Sequence, residues 1–199
     1  MSYSQFTLNR LKTDFGLAIQ EGGSLYAEPP ELHPSSLLSQ TLQDYLPLAL
    51  AINSEKARSE FILAPILGDL RRQIMSPISL FSGKEFNVDP VQGLVGFCDF
   101  ILCRSSEQLF IEAPVLIIVE AKNENIIGGL GQCAAAMLAA QIFNGSRQQS
   151  FLHIYGCVTT GNVWRFLRLE GSNLAIDNGE YYIKELPKIL GILSIPFSE

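Results

Sequence analysis

The chain has 199 residues, of which 47% are hydrophobic and 17% are charged, and its formal net charge is −6. This length and composition suit one globular domain with a sizeable core, and they exclude an intrinsically disordered chain. The acidic balance also argues against a tight, sequence-indifferent DNA binder, because phosphate contacts usually require a basic surface.

The distribution of apolar residues predicts a soluble, cytoplasmic protein without a membrane partner. No apolar run is expected to reach the ~18–20 residues that span a bilayer, and the longest candidates are Ala113–Val119 and Cys133–Ala140. The first ten residues lack the apolar stretch of a signal peptide. The four cysteines form no C-x-x-C pair and there are two histidines, which indicates buried free thiols and weighs against a zinc hydrolase.

The first part of the chain is predicted to be helical after an irregular start. Residues 1–34 are expected to form an N-terminal lead-in, with one short amphipathic stretch before a glycine turn and three prolines. A helix with a serine cap is predicted from about residue 37 to 51. A second helix, capped by Asn53 or Ser54, is predicted to run to about Ile74, because its apolar residues recur every three to four positions, and Pro65 is expected to bend it.

The rest of the chain is predicted to build a sheet. Five segments rich in apolar residues are predicted as strands: 78–88 (the weakest), 93–103, 114–122, 151–159 and 163–169. A helix is expected from about Leu130 to Phe143, after a glycine-rich loop, and a last helix over Ile183–Leu190, kinked or split at Pro187. This order predicts an α/β fold with a mixed sheet between helices, forming a single domain over 1–199 with its core at about 50–170.

Charged residues interrupt the two most apolar predicted strands. Asp99 lies inside the run 95–102, and Glu120 and Lys122 directly follow the unbroken run Val115–Val119. Because side chains alternate along a strand, Glu120 and Lys122 should project to one face, and Asp99 can reach it if the two strands pair. Charges at such positions need a partner or a metal ion.

Two neighbouring carboxylates and an ammonium group are the residue types that phosphodiester hydrolysis requires. A divalent cation relieves the repulsion between the carboxylates, and Mg²⁺ prefers such oxygen ligands. The lysine can orient a water molecule beside the metal, or accept its proton if the lysine pKa is lowered. The alternative for each residue alone is a structural ion pair or a solvated strand end.

This arrangement resembles the PD-(D/E)XK nuclease superfamily, in which an Asp in one strand is followed by Glu-x-Lys at the end of the next strand and then by a helix. The resemblance covers roughly residues 50–170 and extends to the nuclease domains of type I restriction motor subunits and to small stand-alone bacterial relatives. It implies a restriction-endonuclease-like three-layer α/β/α fold. It also implies that Asp99, Glu120 and the backbone carbonyl of Ala121 bind Mg²⁺ (or Mn²⁺), with Lys122 handling the attacking water. The sequence departs from the family pattern in having Cys98 before Asp99.

Two further residues match weaker features of that superfamily. Members often carry a Glu on an earlier helix near the site, for which Glu60 is the best match and Glu55 the second. Many also carry a Gln early in the helix after Glu-x-Lys, where this chain has Gln132. A solvated helix face for Glu60, and helix capping or surface exposure for Gln132, are the alternatives.

The sequence therefore predicts a Mg²⁺-dependent endonuclease or related phosphodiesterase acting on DNA. Because the chain is acidic, we expect a homodimer or a protein partner to supply affinity for DNA. One alternative is a catalytically weak or inactive nuclease-fold protein with a nucleic-acid- or protein-binding role. Another is a different α/β enzyme in which Glu120 and Lys122 form an ion pair and Asp99 lies far from Glu120.

Overall fold

A mixed eight-stranded sheet forms the centre of the computed structural model, which describes residues 2–149 and 151–198. The strands are β1 Ala18–Gln20, β2 Ser79–Glu85, β3 Phe97–Cys103, β4 Val115–Ala121, β5 Ile154–Thr159, β6 Val163–Glu170, β7 Asn173–Ile176 and β8 Tyr181–Tyr182. Their order is β1-β7-β6-β5-β4-β3-β2, with β8 paired to β6. The pairs β1/β7 and β4/β5 are parallel and the others antiparallel. The predicted α/β class and mixed sheet are confirmed.

Six α-helices accompany the sheet in the described part of the chain: α1 Leu8–Phe15, α2 Ser36–Ile52, α3 Glu55–Arg58, α4 Ala64–Gln73, α5 Ile126–Ser146 and α6 Leu186–Ser194. A π-helical turn over 59–63 joins α3 to α4, and short 3₁₀ turns lie at 3–5, 183–185 and 195–197. Ser35 and Ser54 cap α2 and α3 through their hydroxyl oxygens, as the sequence predicts. Pro187 lies in the first turn of α6, where a missing N–H loses no hydrogen bond. Pro65 instead lies within the continuous helical run 55–73, directly after the π-helical turn, where the irregular hydrogen bonding accommodates a residue without an N–H. Helix α6 begins at Leu186, and a separate 3₁₀ turn covers residues 183–185, so the predicted last helix is split near Pro187 and not kinked.

The helices cover both faces of the sheet and enclose two hydrophobic cores. One core lies between the sheet and helices α1 and α5, and the other lies between the sheet and helices α2, α4 and α6. Strand β4 runs between the two cores, and every one of its residues is buried. This burial on both faces explains why its sequence is continuously apolar up to Glu120.

The N-terminal residues are part of the fold, which corrects the expectation of a lead-in for residues 3–20. Tyr3, Phe6, Leu11 and Leu17 are buried in the core beside α5. Strand β1 then adds to the far edge of the sheet by pairing with β7. The expectation did not hold because α1 has only eight residues and β1 only three, which is too short for a clear periodic pattern. Between β1 and α2 the described residues form neither a helix nor a strand.

Helix α5 begins at Ile126, four residues before the predicted start. Its cap is Asn125, whose Oδ1 accepts a hydrogen bond from the N–H of Gly128 at 2.9 Å. The glycines expected in a loop therefore lie inside the helix. At Gly131 a Cβ atom would overlap the backbone of residues 6 and 7, so this glycine lets α5 cross the N-terminal segment closely.

The same helix corrects the expectation that no segment is long enough to cross a membrane. By length and composition alone, its 21 residues are long and apolar enough to cross a membrane. However, 67% of the 18-residue apolar stretch is buried inside the protein. A mostly buried helix of this kind is typical of the core of a soluble protein. The cytoplasmic location stays a prediction.

Strand β2 forms one edge of the sheet, and a side chain covers part of that edge. The backbone N–H of Leu80 donates to Oε1 of Gln108 at 3.2 Å, and Nε2 of Gln108 donates to the backbone carbonyl of Leu80 at 2.8 Å. Gln108 thus takes the place that a neighbouring peptide group would occupy in the ladder.

Candidate active site

Asp99 and Glu120 lie beside each other where strands β3 and β4 part. The antiparallel register pairs Phe100 with Val119, which places Asp99 and Glu120 at the next pair of positions. Here the ladder is completed by a side chain, since the N–H of Ala121 donates to Oδ2 of Asp99 at 2.7 Å. The alternative that Asp99 lies far from Glu120 is therefore wrong.

Glu120 and Lys122 project to the same side of β4, as strand periodicity predicts. The ammonium Nζ of Lys122 donates to Oε1 of Glu120 at 2.6 Å and to Oε1 of Gln132 at 3.3 Å. The Glu120 side chain is almost completely buried, whereas that of Lys122 is one fifth exposed. Gln132 thus fixes the ammonium group from helix α5, and it also lines the cleft described below.

The pKa values of Glu120 and Lys122 are both raised, by different causes. Burial, together with the charge of Asp99, raises the pKa of Glu120 to about 8. Burial acts to lower the pKa of Lys122, but the nearby carboxylates, chiefly Glu120, raise it above its ordinary value overall. Lys122 therefore stays charged at neutral pH, which suits orienting a water molecule or stabilising negative charge rather than accepting a proton.

A cleft of about 450 Å³ contains these residues and a third carboxylate. Glu55, the first residue of α3, lines the cleft with Asp99 and Glu120, and Glu60 is not among its described lining residues. Glu60 instead pairs with Lys56 at 2.8 Å, and its side chain is 53% exposed. Glu60 lies in the π-helical turn that follows α3, and its carboxylate is held by Lys56 at an exposed position, whereas Glu55 lines the cleft. The placement favours Glu55, the second choice of the sequence analysis.

Helix α5 approaches the cleft closely because of Gly129. A Cβ atom there would lie 2.7 Å from Cγ1 of Val158 and 3.0 Å from Cε of Lys122. Real Cβ atoms do not come so near, so a larger residue would displace the helix or the lysine. The small residue thus brings Gln132, one turn further along, within reach of Lys122.

Two walls of the cleft come from segments that the sequence analysis did not assign to the site. One is the N-terminal turn, of which Ser2, Tyr3 and Ser4 line the cleft. Tyr3 is held in place because its hydroxyl donates to the backbone carbonyl of Phe86 at 2.6 Å. The other wall is Phe97 at the start of β3, together with the glycine before it. The available sequence signal for this wall was the aromatic residue two positions before Asp99, which strand periodicity places on the same side of the strand.

The donor atoms in the cleft fit a hard divalent cation. Asp99 and Glu120 each use one oxygen in a hydrogen bond described above, which leaves Oδ1 and Oε2 for a ligand. In an antiparallel ladder the N–H and C=O of one residue point toward the same neighbouring strand, so the carbonyl of Ala121 is expected on the side of β3, although Ala121 is not among the described lining residues of the cleft. Among residues 2–149 and 151–198, no group of three or more His, Cys, Asp and Glu residues is arranged to hold a metal ion. Two carboxylates and a carbonyl suit Mg²⁺, which keeps several waters and needs few protein ligands.

Searches of family models, of curated proteins and of solved structures found no match to this chain. The assignment of a function therefore depends on the residues and geometry of the cleft.

Proposed function

We propose that the chain is a metal-dependent phosphodiesterase with a restriction-endonuclease-like fold that hydrolyses DNA. The observation that carries the proposal is the meeting of Asp99, Glu120 and Lys122 in one cleft. Asp99 comes from a different strand, and its carboxylate replaces a ladder contact instead of pairing with a basic side chain. A purely structural ion pair between Glu120 and Lys122 does not require a second carboxylate beside it, because that carboxylate adds repulsion.

Each residue has a role that follows from its contacts. Asp99, Glu120 and the carbonyl of Ala121 would hold Mg²⁺ or Mn²⁺. When bound, such an ion acts as a Lewis acid and lowers the pKa of a bound water. Lys122, held by Glu120 and Gln132, presents a charged ammonium that orients water and stabilises the charge that develops on a phosphoryl oxygen.

The direct test is cleavage of supercoiled plasmid and of labelled single-stranded DNA with Mg²⁺ or Mn²⁺. Asp99→Asn and Lys122→Ala should each reduce the rate by at least about 100-fold, the usual effect of removing one electrostatic group from such a site. Glu60→Gln is the matched control, because Glu60 lies on the same helical segment as Glu55 but outside the described lining of the cleft. Cleavage that persists unchanged in both cleft variants would show that another protein or another site is responsible.

The net charge of −6 favours a second candidate, a nuclease-fold protein with little turnover and a binding role. A homodimer or a protein partner would then supply most of the affinity for DNA, as it would for an active enzyme. Thermal unfolding with and without Mg²⁺ separates the two candidates, since a ligand that binds the folded state raises its stability. A chain that cleaves nothing and gains no stability from Mg²⁺ would support the binding role.

A further inference from the structure

Phe97 is an exposed aromatic side chain in the wall of the cleft. It is 65% exposed, although most large apolar residues of the neighbouring strands are buried. It precedes Asp99 by two positions in β3, so both side chains project from the same side of the strand. Its backbone pairs with Glu85 of β2, which fixes its position relative to the carboxylates.

The charges around the cleft are unsuited to a duplex. Among the described residues that line it, Lys122 is the single lysine or arginine, and it faces the carboxylates of Asp99, Glu120 and Glu55. Duplex binders neutralise many phosphates with basic side chains, and their affinity depends on this contribution. A different source of binding free energy is required in this cleft.

An exposed aromatic ring supplies such a source, but only for an unpaired base. In a duplex the faces of the bases are covered by their neighbours, whereas a base in a single strand or loop can stack on a phenylalanine. The volume of about 450 Å³ is also typical of a site for one small molecule, such as a single nucleotide.

We infer that Phe97 is a stacking platform for an unpaired nucleobase beside the carboxylates, so that the substrate class is single-stranded nucleic acid. The inference rests on the proposed function for the identity of the reaction in the cleft. It goes beyond that function by naming the strandedness of the substrate and the residue that selects it.

The test compares wild type with Phe97→Ala, Phe97→Trp and Phe110→Ala. Phe110 is the matched control because it is 69% exposed but is not among the described residues lining the cleft. Binding is measured by fluorescence anisotropy with Ca²⁺ on four labelled 12-mers: oligo-dT, oligo-U, the duplex of oligo-dT with oligo-dA, and an abasic strand that keeps every phosphate. The two base-carrying single strands distinguish DNA from RNA.

Wild type should bind the single strands that carry bases more tightly than the duplex or the abasic strand. Phe97→Ala should weaken binding to those single strands by about 5- to 100-fold, the usual effect of losing one stacked base, and leave the abasic strand unaffected. Phe97→Trp should restore binding, and Phe110→Ala should bind as wild type does. Circular dichroism and thermal unfolding confirm that each variant is folded.

Two sets of results would overturn the inference, and they separate it from the proposed function. If Phe97→Ala binds all four 12-mers as wild type does while plasmid cleavage still requires Lys122, the reaction stands and the stacking role fails. If wild type binds the duplex as tightly as the single strands, or binds none of them, the assignment of substrate class fails. Stacking-dependent binding without any cleavage would support the inference and remove the proposed reaction. A change in self-association of Phe97→Ala without a change in binding would show that the residue contacts a second copy of the chain.

Discussion

Replacing Glu120 with glutamine tests whether a buried carboxylate in the cleft destabilises the metal-free protein. Burial and the neighbouring charge of Asp99 raise the pKa of Glu120 from its ordinary value of 4.5 to about 8. Between these two pH values the folded protein keeps a proton that the unfolded chain releases. The contribution of Glu120 to stability is therefore fully present below pH 4.5 and is lost as the pH rises through 8.

The size of the effect follows from the difference between these two values. At 1.36 kcal/mol for each pH unit, the free energy of unfolding falls by at most about 5 kcal/mol between pH 4.5 and pH 8. Glutamine has nearly the same shape and can still accept the hydrogen bond from Lys122, but it carries no proton to release. Glu120→Gln should therefore be more stable than wild type at pH 8, and this difference should shrink toward pH 5.

The assay is urea unfolding at several pH values between 5 and 8 with EDTA present. Glu60→Gln, which removes an exposed carboxylate, is the control and should follow wild type. Parallel stability curves for wild type and Glu120→Gln would refute the reasoning, because they would show that the cleft leaves Glu120 as ionised as it is in the unfolded chain. Added Mg²⁺ should stabilise wild type more at pH 8 than at pH 5, since a metal ion competes with the proton for the carboxylate.

Two further predictions concern stability away from the carboxylates. Gly129→Ala should destabilise the protein by about 1–3 kcal/mol, as overpacking usually does, because its Cβ would lie 2.7 Å from Val158. Gly145→Ala lies in the same helix, where a Cβ meets nothing within 4 Å, and it should instead stabilise the protein by up to about 1 kcal/mol. Equal changes in stability for the two variants in thermal unfolding would contradict this account of the close approach at Gly129. Asp69→Ala should cost about 3 kcal/mol in urea unfolding, because the buried carboxylate accepts hydrogen bonds from the N–H and hydroxyl of Ser35. Burial acts to raise the pKa of Asp69, but these hydrogen bonds hold the pKa below its ordinary value. The contribution of Asp69 to stability should therefore be present above about pH 4 and disappear as the pH falls. An Asp69→Ala protein with the acid stability of wild type would contradict this prediction.

The centre of the sheet and the first residues of the cleft could be predicted because their sequence signals are strong. Strand β4 is apolar from Val115 to Val119 since both of its faces are buried, and Glu120 and Lys122 then follow at the spacing of one face. Asp99 was identified because a charge inside an otherwise apolar strand requires a partner. The caps of α2 and α3 were also predicted, because a serine hydroxyl accepts the free N–H groups at a helix start.

The remaining features depend on contacts between distant segments, which a single sequence does not reveal. The choice between Glu55 and Glu60 depends on which side of the helical segment 55–63 is turned toward β4, and the periodicity of the sequence alone allowed either residue. The early start of α5 was missed because glycines disfavour a helix, whereas here Gly129 and Gly131 are needed for close contact with the sheet and the N-terminal segment. The N-terminal wall of the cleft was missed because the tyrosine that anchors it bonds to a backbone carbonyl 83 residues away.

The glutamine that covers the edge of β2 has a consequence for the behaviour of the protein in concentrated solution. An uncovered sheet edge is a template on which another chain can add a strand, and repeated addition leads to aggregation. Gln108 occupies both the backbone N–H and the backbone carbonyl of Leu80. A strand from another chain therefore cannot form its hydrogen bonds at that position. We therefore expect the loss of this amide, as in Gln108→Ala, to make the protein more prone to precipitate at high concentration.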